Sequence, residues 1–177
     1  MASHQMPGHE MKEIEVKIIA INKEDIINKI IALGATKTFE GNIHSISYNF
    51  PPNENISLLR LRKKGDKNYL TAKKSLSKEH ARIAEETELE IESFEAMHTI
   101  LTSLGYTIKK ESHKKRTSYT LNETHFEIDE FTGIPAYMEI ESSSEKKIDQ
   151  FIRELGINPA NVKNWNETEL LQHYGKL

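Results

Sequence analysis

Acids and bases suited to metal and anion binding are sorted by segment in this chain. Carboxylates lie in "EIEVK" (Glu13 to Lys17), "EETELE" (Glu85 to Glu90), "FEID" (Phe126 to Asp129) and "EIE" (Glu139 to Glu141). Bases lie in "RLRK" (Arg60 to Lys63), "AKK" (Ala72 to Lys74) and "KKR" (Lys114 to Arg116). A surface built for solubility intersperses the two signs along each strand. Carboxylate oxygens are hard ligands that hold Mg²⁺ or Mn²⁺. Lys and Arg grip phosphate oxygens, and Arg does so bidentately. Buried like charges are costly unless paired, so an acidic wall facing a basic wall implies a mediator that satisfies both. A polyphosphate carrying a divalent metal is such a mediator.

The elements that must present these groups are strands. "KEIEVKI" (Lys12 to Ile18) sets Glu13, Glu15 and Lys17 on one face and Ile14, Val16 and Ile18 on the other, the period-two signature of a strand. "SLLRLRKK" sets Arg60, Arg62 and Lys64 opposite Leu59 and Leu61. "NYLTAKK" gathers Tyr69, Thr71 and Lys73, and a Gly65-Asp66 turn joins these two strands. "HKKRTSYTL" gathers Lys114, Arg116 and Ser118, and "THFEIDEF" sets Glu127 and Asp129 opposite Phe126 and Ile128. "YMEIE" follows a turn at Gly133-Ile134-Pro135. Glu86, Glu88, Glu127 and Lys114 share the charged side by the same alternation. "SLSKEHAR" (Ser75 to Arg82) is polar and reads as a long hairpin loop.

Three helical apolar faces interrupt the strands. Asn22, Ser93 and Ser144 are N-cap candidates, and the faces end at Leu33-Gly34, Leu104-Gly105 and Leu155-Gly156. Glu-aliphatic-Glu, helix, Leu-Gly thus occurs three times, and its first two copies predict two related halves. "NWNETELLQHYGKL" predicts a short terminal helix. The count is about eight strands and three main helices, an α+β arrangement. Closing the sheet into an eight-stranded antiparallel β-barrel, with helices packed outside, gives every charged face one interior and every aliphatic face a partner.

Bulk properties limit the alternatives. A chain of 177 residues is the size of one domain, expected over residues 11–177, with "MASHQMPGHE" (1–10) as an aperiodic leader. A net charge of −3 argues against a nucleic-acid binder that relies on bulk positive charge. The absence of Cys removes disulfides and thiol nucleophiles, and is compatible with a cytoplasmic protein. No apolar run approaches the roughly 18 residues of a membrane span. No Gly-rich phosphate loop occurs. His44, His80, His98, His113, His125 and His173 lack close ligand spacing and read as surface or packing residues.

"EIEVK" is similar to the Glu-x-Glu-x-Lys signature of CYTH-domain proteins, the triphosphate tunnel metalloenzymes. "LLRLRKKG", "YLTAKK", the acidic fifth strand, "KKRTSY", "FEIDEFTGIPAYMEIE" and "ETELL" resemble the rest of that family in order. The resemblance implies a triphosphate tunnel with Mg²⁺ or Mn²⁺ as cofactor. Glu13, Glu15, Asp129, Glu139 and Glu141 would hold metal. Arg60, Arg62, Lys73, Lys114 and Arg116 would grip phosphate, Lys17 would touch phosphate and help activate water, and Lys163 would be a late phosphate-binding base. Two positions depart from the family: Ala84 stands where Arg is common, with Arg82 a rough substitute, and Trp165 stands where Tyr is usual. The implied activity is hydrolysis of inorganic, thiamine or nucleoside triphosphate. The alternatives are an adenylyl cyclase and a non-catalytic triphosphate binder. The expected partner is a triphosphate-containing small molecule rather than nucleic acid or membrane, and apolar outer strands are compatible with a homodimer.

Overall fold

The alternating segments form strands, and the strands close on themselves. The computed structural model of the protein describes residues 11–52 and 56–176, so the expected leader lies outside the described residues. In chain order the elements are β1 (Met11–Ile18), α1 (Lys23–Ala32), β2 (Thr36–Asn49), β3 (Leu58–Lys64), β4 (Lys67–Lys78) and β5 (Arg82–Ile91). They continue with α2 (Phe94–Ser103), β6 (Thr107–Leu121), β7 (Thr124–Phe131), β8 (Tyr137–Ser142), α3 (Glu145–Glu154), a two-residue β9 (Val162–Lys163) and α4 (Glu167–His173). The sheet runs β5-β4-β3-β2-β6-β7-β8-β1, and pairing of β1 with β5 closes it into an eight-stranded antiparallel barrel. Short β9 continues along the β1 edge beyond β5.

Strand, helix and three strands occur twice in order, from β1 to β4 and from β5 to β8. The halves exchange their first strands: β1 lies between β8 and β5 of the second half, and β5 lies between β4 and β1 of the first. Closure therefore depends on both halves. The expected caps form, with Asn22, Ser93 and Ser144 side chains accepting the backbone N–H of Asp25, Ala96 and Lys147. Gly34 ends α1 at φ +95°, and the next N–H, of Ala35, donates back to Ile30 O at 3.2 Å. This left-handed cap suits glycine because it lacks Cβ. Leu104-Gly105 and Leu155-Gly156 repeat it.

The apolar core lies outside the barrel. Ile14, Val16 and Ile18 of β1 join Phe126, Ile128, Met138 and Ile140 of β7 and β8, under Ile26 and Ile30 of α1 and Ile148 and Phe151 of α3. A second cluster packs Phe94 and Leu101 of α2 on Ile46, Tyr48 and Leu61. Leu170 of α4 packs with Ile19 and Tyr137. No helix among the described residues is long and apolar enough to cross a membrane.

Two strand boundaries differ from the sequence expectation. "SLSKEHAR" is mostly strand: β4 runs to Lys78 through a bulge at Ser75/Ser77, leaving 79–81 as the connection. Strand β6 begins at Thr107, and β2 adds a strand of 14 residues that alternation did not single out. Residues at the start of β2 are exposed or half-buried on both faces, so no apolar period marks it.

Candidate active site

The lumen is a cavity of about 1360 Å³ whose wall is built from the charged faces of the strands. Register decides which charges meet. On one side Glu15 lies opposite Glu141 of β8, Lys17 lies opposite Glu139, and Glu15 lies opposite Arg82 of β5. Lys17 Nζ donates to Glu15 at 3.0 Å and to Glu139 at 2.8 Å, and Arg82 Nη1 donates to Glu15 at 3.0 Å. Across the lumen, Arg62 Nη2 donates to Glu88 at 2.7 Å, and Lys73 pairs with both Glu13 and Glu86. The Nε atoms of Arg60 and Arg62 are buried without a hydrogen-bond partner.

The acidic group is uneven in proton affinity. Burial pushes the Glu13 carboxyl up, against the pull of the Lys73 ammonium, to about 7. Burial and then the Glu13 charge push Glu141 up to about 8. Burial also opposes ionisation of Glu15, but Lys17 and the other nearby cations outweigh it and hold Glu15 at about 2. Glu139, equally desolvated, is held well below the ordinary range by Lys17, Lys114 and Arg116. Desolvation opposes the Lys17 charge, yet Glu139 and Glu15 raise its affinity for the proton above that of an ordinary lysine. Lys17 is therefore a fixed cation in this arrangement.

A paired floor lies toward α4. Arg116 makes a fork on Asp129, with Nε to Oδ1 and Nη2 to Oδ2 both at 2.6 Å, and also donates to Glu139 at 2.7 Å. Its remaining arm reaches Glu127. Lys114 donates to Asp129 at 2.7 Å and approaches Glu167 of α4 at 3.5 Å. Lys110 donates to Glu167 at 2.7 Å. Burial disfavours the Glu167 charge, but Lys114 and Lys110 bring the carboxyl down to about 2.

Glu13, Glu15, Lys17, Arg60, Arg62, Lys73, Lys114, Arg116, Glu139 and Glu141 all line the cavity, as do Glu86, Glu88 and Glu127. Asp129 and Lys163 do not. Asp129 is 0% exposed and sits behind Arg116 and Lys114. Lys163 lies opposite Lys17 in register, but its Nζ sits over the Trp165 ring, 5.2 Å from the centroid. Sequence reasoning assigned no role to Glu167, Lys110 or Lys64, which also line the cavity. "ETELL" was a signal for Glu167, but a helix gives no alternation to say which residue faces inward. Arg82 takes the position beside Glu15, and Glu13, which lies opposite Ala84, has its base from Lys73 of β4 instead.

The donor set suits a hard divalent cation. Four carboxylates of β1 and β8 line the same cavity, two of them hold protons near neutrality, and Glu141 makes no ion pair among the described residues. Glu13, Glu15, Glu139 and Glu141 are the residues that would hold such an ion.

A barrel with a charged lumen and helices outside defines the class, and the comparisons agree. The CYTH domain profile matches residues 11–163, and the chain belongs to the CYTH family. A Methanocaldococcus jannaschii protein with the provisional name adenylate cyclase is 26% identical over 136 residues, 75% of this chain and 78% of that protein. A solved Pyrococcus horikoshii protein aligns over 89% of this chain and 98% of its own, with 29% identity and a TM-score of 0.78. A Hippeastrum protein, named as an adenylyl cyclase and described as having a dominant triphosphatase activity, shares the fold. Its TM-score is 0.61 at 17% identity, with 94% of this chain and 96% of that one covered.

Proposed function

We propose that the protein is a divalent-metal-dependent hydrolase of a small triphosphate, which binds inside the barrel. One observation carries this reading: unpartnered guanidinium nitrogens of Arg60 and Arg62 share a buried lumen with the unpaired, proton-holding Glu141. The protein leaves each of these groups short of a hydrogen-bond or charge partner, and a metal–triphosphate would supply one to both.

Water attacks the terminal phosphorus, the bond to the bridging oxygen breaks, and diphosphate, orthophosphate and a proton leave. Such a transfer asks the protein mainly for position and charge. Arg60, Arg62 and Lys73 bind the chain of phosphate oxygens from one wall. Arg116 and Lys114, held by Asp129, bind it from the floor. Lys17 donates from between Glu15 and Glu139 and does not take up the proton of water, because it already holds its own. Asp129 acts here as the residue that orients Arg116. A divalent cation on Glu13, Glu15, Glu139 and Glu141 would supply Lewis acidity and neutralise phosphate charge.

The same grip would serve an adenylyl cyclase, the name carried by the Methanocaldococcus relative. Tyr69 and His125 are the only rings among the described residues that line the cavity, which gives an adenine little to stack on and favours hydrolysis. The test offers inorganic triphosphate, thiamine triphosphate, ATP and GTP with Mg²⁺ and then Mn²⁺, and identifies the products. Orthophosphate is expected, and Arg60→Ala should slow its release by about 100-fold or more, the scale for losing a donor to developing charge. Cyclic AMP with diphosphate would identify a cyclase, and tight binding without turnover a sensor. Undiminished hydrolysis by Arg60→Ala would remove the proposed grip.

A further inference from the structure

Outside the barrel, strand pairing assembles a second ligand set from residues that sequence spacing kept apart. His44 of β2 lies directly opposite His113 of β6, and Glu111 precedes His113 by two residues on the same outward face. The imidazole rings stack at 4.3 Å and 9°. His44 Nε2 lies 2.7 Å from Glu111 Oε1, His113 Nε2 lies 3.7 Å from it, and the three ligand atoms fall within 4.8 Å of one another. Phe94 of α2 stacks on the other side of this pair, against His44 at 4.8 Å.

We propose that His44, Glu111 and His113 form a surface site for a borderline divalent metal of the zinc or cobalt type, separate from the lumen. Ligand atoms around a tetrahedral zinc lie about 3.4 Å apart, from bond lengths of about 2.0–2.2 Å. The observed spread brackets that spacing, so side-chain rotation alone brings the three into place. Two imidazoles and one carboxylate leave a fourth position open, and imidazole selects zinc-type ions over Mg²⁺. Lys63, opposite His44 on β3, repels a cation, and chelation by the three ligands must outweigh it. The site would clamp β2 to β6 behind Ser45, Ser112 and Lys114, which line the cavity from the other face.

Zn²⁺ binding is measured by titration calorimetry, and Co²⁺ binding by visible absorption, in excess Mg²⁺ so that the lumen carboxylates are occupied. Wild type should take up one Zn²⁺ that His44→Ala and His113→Ala bind about tenfold more weakly or worse, with loss of the tetrahedral Co²⁺ bands. Glu141→Gln should keep that equivalent, which separates it from the lumen. His113 is 70% exposed on its side chain, so its variant should fold, and its Mg²⁺-dependent phosphate release should be unchanged. Uptake that persists in both histidine variants would come from elsewhere on the chain, such as His4 and His9. That result, or no uptake by wild type, would overturn the proposal.

Discussion

The floor and the middle of the lumen hold the same kinds of charge and satisfy them differently. On the floor, Arg116 has Asp129, Glu139 and Glu127, Lys114 has Asp129, and Lys17 sits between Glu15 and Glu139. In the middle, the Nε atoms of Arg60 and Arg62 have no hydrogen-bond partner among the described residues, and burial and then the Glu13 charge leave Glu141 holding a proton. Lys64, desolvated and repelled by Arg116 and Arg62, falls to about 8. A buried ion that is paired and hydrogen-bonded can be part of the fold, whereas an unpaired one costs free energy until a ligand arrives. The floor is thus built, and the middle is poised.

The largest expected effect separates the two. Asp129→Ala leaves Arg116 and Lys114 buried without their main counter-ion, which should cost about 3–5 kcal/mol. At about 2–4 °C per kcal/mol for a chain of this size, melting should fall by roughly 6–20 °C. Arg60→Ala removes a desolvated cation that makes no ion pair among the described residues and should melt at or above the wild-type temperature. Thermal melts of the two metal-free variants check the comparison. An Asp129→Ala protein that melts with wild type, or an Arg60→Ala protein that melts far below it, would merge the two regions.

Alternation made the walls legible but not their depth. Period two is strict, so the inward assignment of Glu13, Glu15 and Lys17, of Arg60 and Arg62, and of Glu139 and Glu141 followed from the strands alone. How far along the barrel each residue sits depends on strand stagger, which no single strand encodes. Asp129 and Glu127 therefore read alike in sequence, although one lies behind Arg116 and the other lines the cavity. Glu167 escaped because it comes from a helix end. His44 and His113 escaped because 69 positions separate them in the chain and only the β2–β6 register joins them. The outer core was legible for the same reason as the walls: Ile14, Val16 and Ile18 are the even-numbered positions that alternate with the charged triplet Glu13, Glu15 and Lys17.

A smaller effect, with the opposite sign, should come from Glu141→Gln. Glu141 holds its proton up to about 8, whereas the unfolded chain releases it near 4.5. Its contribution to stability is complete below 4.5 and is lost as pH rises through about 8. The amide cannot ionise, so the metal-free variant should exceed wild type by about 1–3 kcal/mol at pH 9, or roughly 2–12 °C in melting temperature. The gap should close near pH 4.5, where both forms are neutral. Added Mg²⁺ should raise wild type more than the variant, since it replaces the proton at a ligand the variant has lost. Melting curves that coincide at pH 9 would show that Glu141 is already neutralised within the fold.

The smallest effect belongs to Lys163, which separates facing the lumen from reaching it. Its partner in register, Lys17, is buried between two carboxylates, whereas the Lys163 ammonium lies over Trp165 and outside the cavity wall. A cation over an indole at a partly exposed site contributes about 0.5–1 kcal/mol. Lys163→Ala should therefore lower melting by no more than about 4 °C and change KM for the triphosphate by less than about twofold. Lys114→Ala, which removes a floor cation, should raise KM by about tenfold or more, the scale of one charge-assisted hydrogen bond. If Lys163→Ala raises KM as much as Lys114→Ala does, Lys163 swings off Trp165 when substrate binds. The lumen would then gain a cation that its ligand-free wall lacks.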